Sequence, residues 1–294
     1  MVSGQSTSFP IRASNRLVTM TLVTFAHSEV LAPFFFLVGI QLRGEITHVR
    51  QILLPTIAAL GGMLFPALIF LALNRNSGIG AGWPIVMPTD IALVMVVLIL
   101  MGKRASVELK TFMLAIAVAD DLFSIGIIGI KYTEALKPLQ IIASIGSVIL
   151  GALLWKIPLQ NFLTRFVNFV VLPVYIFANL YPALADDFQV SSKVGNSIIV
   201  ARVIGKALGI VLFVWIANKL RIAKLSSSLK LGEVFAGAIL AGMGLAVSFL
   251  IANLTYSDEF LLNQVRAGLL SAALISGLLG AGTLLYFTRG KTQS

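Results

Sequence analysis

The stretch Leu114-Ala-Ile-Ala-Val-Ala-Asp-Asp-Leu-Phe123 sets two adjacent carboxylates, Asp120 and Asp121, near the middle of an apolar run over residues 108–130. A charged side chain at the centre of a bilayer costs about 2.5–3.5 kcal/mol on insertion scales. An ionisable pair in such a run therefore marks a working site rather than a solvated surface. Neighbouring residues on a helix point about 100° apart. One carboxylate can then face a cavity while the other faces a neighbouring helix. Two acids this close resist simultaneous ionisation, and carboxylate oxygens suit hard cations. The pair can hold a proton or a small cation.

The rest of the chain puts that run in lipid. Of 294 residues, 58% are hydrophobic and 12% charged, against roughly 25% charged in soluble domains. The mean hydropathy is +0.96. A soluble enzyme, a DNA-binding domain and a disordered scaffold are excluded by these values. The net charge of +10 fits a membrane protein with basic loops, and cysteine is absent. No aromatic-basic patch points to nucleic acid, and there is no disulfide or thiol chemistry to consider.

Apolar runs fall at 17–42, 52–73, 85–101, 108–130, 139–155, 166–181, 198–218, 232–254 and 265–287, with short connections such as 74–83 and 186–196. Helices are the default in lipid, where each amide must be satisfied within its own segment. The expectation is an all-α polytopic membrane protein of about nine transmembrane helices, forming a single transporter domain over residues 1–294. With the amino terminus outside, most loop cations, including Lys103, Arg104, Lys110, Lys219, Arg221 and Lys224, fall inside, as the positive-inside rule asks.

Other charges stand inside these runs. Asp90 follows Pro88-Thr89, where proline favours a break and Thr89 or Asp90 can cap a half-helix. Lys206, in Ile204-Gly-Lys-Ala-Leu-Gly209, can neutralise one of the paired aspartates. Arg202, one turn nearer the outside, reads as a snorkelling side chain, and Glu29 is a further acid in the first run. Gly242 and Gly244 lie mid-run, where glycine permits unwinding or close helix approach.

Residues 52–130 hold three runs, and residues 198–287 hold three more. The second run of each triplet carries a potential break, at Pro88–Asp90 and at Gly242–Gly244. On the topology above the triplets are inverted. Paired interrupted spans in corresponding positions point to a secondary-transporter site.

Several motifs together resemble the NhaA-type sodium/proton antiporters. They are Pro88-Thr-Asp-Ile-Ala92, Ala119-Asp-Asp-Leu122, Ile204-Gly-Lys-Ala-Leu-Gly209, Gly242-Met-Gly244 and Val247-Ser-Phe-Leu-Ile-Ala252, with support at Phe35–Gly39 and Leu172–Asn179. The resemblance implies a multi-pass inner-membrane exchanger of Na+ (or Li+) and H+ that uses no cofactor, serves pH homeostasis and can form a homodimer. It implies that Asp120 and Asp121 carry the cation and the proton, that Lys206 partners Asp120, and that Asp90 with Thr89 compensates helix ends at the unwound segments. The chain departs from the family in having about nine expected helices against about twelve. It reads as a shortened member without the first helix and about two middle ones. Gln41, Gly44 and Ser28 replace family residues, and His27 and His48 are its histidines. Two alternatives stay open: a non-transporting paralogue and a sodium-coupled organic-anion transporter of related fold. An intramembrane aspartyl protease needs two carboxylates sharing a proton, but its Gly-x-Gly-Asp pattern is missing.

Overall fold

The computed structural model describes residues 49–132, 138–154, 160–186, 191–226 and 228–289, together with 36, 39 and 40. Most of the first apolar run, with Ser28, Glu29, Gln41, Gly44 and both histidines, lies outside them.

The described residues are helical and contain no strand, as the apolar runs demand. The helices are α1 (Val49–Leu73), α2 (Ile91–Leu100), α3 (Val107–Lys131), α4 (Pro138–Leu153), α5 (Gln160–Phe166), α6 (Leu172–Asp186), α7 (Lys193–Val200), α8 (Lys206–Lys219), α9 (Leu231–Leu240), α10 (Ala246–Thr255) and α11 (Glu259–Phe287). A 3-10 helix, Ile79–Val86, precedes α2. Among the described residues four stretches are long and apolar enough to cross a membrane: Ile52–Leu73, Val107–Lys131, Lys193–Lys219 and Glu259–Phe287. The 3-10 helix and α2, bent by 45° at their junction, form a fifth if taken as one broken span. The protein is an all-α polytopic membrane protein.

The local sequence explains where these helices start and stop. Ser106 caps α3 by accepting from the Leu109 N–H at 3.3 Å, and its hydroxyl donates to Glu233 on α9 at 2.7 Å. Ser192 caps α7 through the Gly195 N–H at 3.0 Å. Asp258 caps α11 through the Leu261 N–H at 3.2 Å. Each satisfies an amide that the helix itself leaves open.

Four readings of the sequence change. The connection 74–83 contains most of the 3-10 helix, because its glycines still permit tight turns. The run 198–218 is not one regular helix. It begins at Lys193 and passes through a π turn, Ala201–Gly205. The run 166–181 likewise holds a π turn, Val167–Val171. Pro88 does not displace the residue before it, since Met87 keeps helical angles (φ −83°, ψ −47°). The extended geometry falls instead at Asp90 (φ −92°, ψ 102°).

Helix α1 packs along α8, and α3 lies against α1 and α2. The α1–α8 approach is set by Gly61 and Gly209, each of which presses on the other's carbonyl. A side chain at either position would force the helices apart. The two larger apolar clusters each draw on both broken spans. One gathers Ile85 and Val86 before the first break with Leu245–Ala252 after the second. The other gathers Val94 and Leu98 after the first break with Val234, Leu240 and Ala241 before the second.

Candidate functional site

Asp120 and Asp121 sit on α3 with relative exposures of 0% and 5%. From the next turn of α3, Ser124 stands on the same side, also buried. Lys206 opens α8 directly after the π turn and is 0% exposed. Its Nζ stands 3.3 Å from Asp120 Oδ2 and also donates to the Met87 carbonyl. The Thr89 hydroxyl donates to the same Asp120 Oδ2 at 2.6 Å. Asp120 Oδ2 is therefore held twice, by an ammonium and by a hydroxyl. Asp120 Oδ1, Asp121 Oδ1 and Ser124 Oγ are buried without a hydrogen-bond partner among the described residues. Free carboxylate oxygens in a buried place are the donor set a small cation or a proton needs.

The two breaks supply the rest. The Asp90 N–H donates to the Met243 carbonyl at 2.9 Å, joining one break to the other. Asp90 occupies the cap position of α2 without a side-chain cap hydrogen bond, and its Oδ2 is buried without a partner among the described residues, with the amides of Ala92, Leu93 and Ala246 within electrostatic reach. It thus stands near the amino ends of two half-helices, where a negative charge is favoured. Asp121 lies within electrostatic reach of Asp120, Asp90 and Lys206.

The glycines at the second break act through space rather than through a special conformation. Neither adopts a positive φ. A Cβ on Gly242 would strike Ser276 Oγ, and one on Gly244 would strike the Arg202 guanidinium and the Pro88 carbonyl. Thr89, Asp120 and Lys206 are thus joined directly, Asp121 adjoins Asp120 on α3, Asp90 is tied to Met243 at the second break, and Gly242 and Gly244 lie against Arg202.

Sequence reading missed Arg202. It is 0% exposed, so the snorkelling assignment is corrected. Its Nη1 donates to the Gly244 carbonyl at 2.6 Å and to Ser248 Oγ at 3.0 Å, and its Nη2 donates to the Pro88 carbonyl. One signal was available. Residues four apart share a helix face, which puts Arg202 on the face of Lys206.

Discontinuous spans meeting at buried ionisable side chains define the class of secondary transporters. Comparison with known proteins makes the class specific. The profile described as "Na+/H+ antiporter 1" matches residues 4–161 and 155–284, and the chain belongs to that family, whose members are transporters and not enzymes. It is 30% identical to a protein of Citrobacter koseri named "Na(+)/H(+) antiporter NhaA", with 93% of this chain and 86% of that protein covered. It is 32% identical to the protein of the same name from Sodalis glossinidius (92% and 84% covered). It is 31% identical to "Na(+)/H(+) antiporter NhaA 2" of Erythrobacter litoralis (87% and 78% covered).

Proposed function

We propose that this protein exchanges Na+ or Li+ for H+ across the cytoplasmic membrane, with Asp120 and Asp121 as the shared carrier. The supporting observation is the asymmetry of the pair. Asp120 Oδ2 is held by Lys206 and Thr89, while Asp120 Oδ1 and Asp121 Oδ1 have no partner among the described residues. A cation arriving at the open oxygens competes with a proton for the same electron pairs. It also competes with Lys206 for Asp120. Lys206 has a second acceptor, the Met87 carbonyl, so its ammonium need not be left bare when Asp120 turns to the cation.

Exchange then needs the loaded centre to face each side of the membrane in turn. The inverted repeats, about 52–130 and 198–287, give a physical route. In each apolar cluster the half before one break packs with the half after the other, as two broken spans of opposite direction require. Rocking of one repeat against the other opens the centre alternately. An unloaded centre carries bare negative charge that opposes this movement through a low-dielectric interior. A bound cation or proton removes that charge. The homodimer and the inner-membrane location belong to the same proposal.

The test is sodium-driven proton movement in everted membrane vesicles. Wild type should dissipate an imposed proton gradient on addition of Na+, and Asp120→Asn and Asp121→Asn should not. Exchange undiminished in Asp121→Asn removes the proposal.

A further inference from the structure

Arg202 is a fully buried charge that the exchange reading leaves without a task. It lies in the π turn, one turn before Lys206, and such turns are frequent at functional sites. The guanidinium keeps its proton, so it is not a carrier. A planar fork of donors suits it to hold several acceptors at once. Those acceptors lie at both breaks and just beyond: the Pro88 carbonyl at the first, the Gly244 carbonyl at the second, and Ser248 Oγ in the first turn of α10.

The position of Pro88 gives this grip its consequence. Met87 on one side offers its carbonyl to Lys206. Thr89 on the other side offers its hydroxyl to Asp120. Fixing Pro88 fixes both contacts of the Lys206–Asp120 pair. Gly244 leaves open the space that the guanidinium fills, and its neighbour Met243 takes the Asp90 N–H. The carbonyl groups at the breaks thus receive a cation, and Asp90 stands at the cap position of α2.

We propose that Arg202 is a positioning residue for cation binding, clamping the two breaks in the register that brings Thr89 and Lys206 to Asp120. This rests on the exchange reading above. Its charge alone would act the other way. A fixed cation within reach of Asp90, Asp120 and Lys206 repels Na+, so removing only its charge would tighten Na+ binding. The direction of the change in KM therefore separates a clamp from a bare charge.

The experiment measures Na+/H+ exchange in proteoliposomes at fixed pH for wild type, Arg202→Gln, Arg202→Lys and Ser248→Ala, with Asp121→Asn as the inactive control. Size-exclusion elution in detergent reports assembly. Hydrogen bonds to a charged group are the stronger kind, so Arg202→Gln should raise the KM for Na+ at least about tenfold. Ser248→Ala, which removes one acceptor, should raise it about threefold. Arg202→Lys should fall between wild type and Arg202→Gln, since it restores the charge and part of the grip. A KM in assembled Arg202→Gln equal to or below that of wild type overturns the clamp. Should Arg202→Gln not assemble, an unchanged KM in Ser248→Ala overturns it. A wild type that moves no protons overturns the exchange reading and the clamp together, whereas an active wild type with an unmoved variant KM overturns the clamp alone.

Discussion

Replacing Lys206 with glutamine removes the cation that faces Asp120 at 3.3 Å, with both side chains fully buried. At an effective dielectric constant of about 20, Coulomb's law gives about 5 kcal/mol for unit charges at that separation. Desolvation of the two groups offsets much of this, so the pair adds little as a pair. Its disruption is another matter, because an unpartnered buried charge costs about 3–5 kcal/mol. Thr89 still donates to Asp120 at 2.6 Å, which places the expected loss near 3 kcal/mol, the low end of that range. At about 2–4 °C per kcal/mol, the melting temperature should fall by roughly 6–12 °C. Thermal unfolding of the purified protein in detergent measures this for Lys206→Gln, Asp120→Asn and the double variant. The loss comes from a stranded carboxylate, so neutralising that carboxylate should recover it. The double variant should lie within about 1 kcal/mol of Asp120→Asn alone. Losses that add would refute the pairing of these two residues.

Thr89→Val keeps the side-chain shape and removes the hydroxyl on Asp120; a drop in stability of about 1.5–3 kcal/mol is expected, read as a lower melting temperature. Gly244→Ala drives a methyl group against Arg202 and the Pro88 carbonyl. Such overpacking costs about 1–3 kcal/mol, and the exchange rate per assembled molecule should fall with it. Protons and Na+ compete at the carboxylates, so the KM for Na+ should fall as pH rises, by up to about tenfold per pH unit where one proton is displaced, and level off once the acids are deprotonated. A series of exchange rates against Na+ concentration at several pH values measures this, and a KM independent of pH would count against competition.

The features legible in the sequence were those carried by a local contrast. Asp120 and Asp121 stand out because the residues around them are apolar, and the structure keeps them in the middle of one long helix. Pro88 announces a break because its ring removes an amide. Gly242 and Gly244 announce the second because helices tolerate glycine poorly. What the sequence hid depends on parts of the chain far apart. Arg202 reads as an interfacial cation from its distance to the end of its run. The acceptors that draw it inward are carbonyls exposed by breaks 114 and 42 residues away. Hydrophobicity and propensity do not register backbone groups freed by a distant break. The π turn is hidden for a related reason, since nothing in Ala201-Arg-Val-Ile-Gly205 distinguishes it from a regular helical segment.

Calorimetric titration of Na+ into the purified protein, in buffers of different ionisation enthalpy, counts the protons released as the cation binds. Wild type should bind Na+ with release of protons, and Asp121→Asn should do neither. Na+ binding that frees no proton, or that survives in Asp121→Asn, would contradict a carrier shared between the two ions.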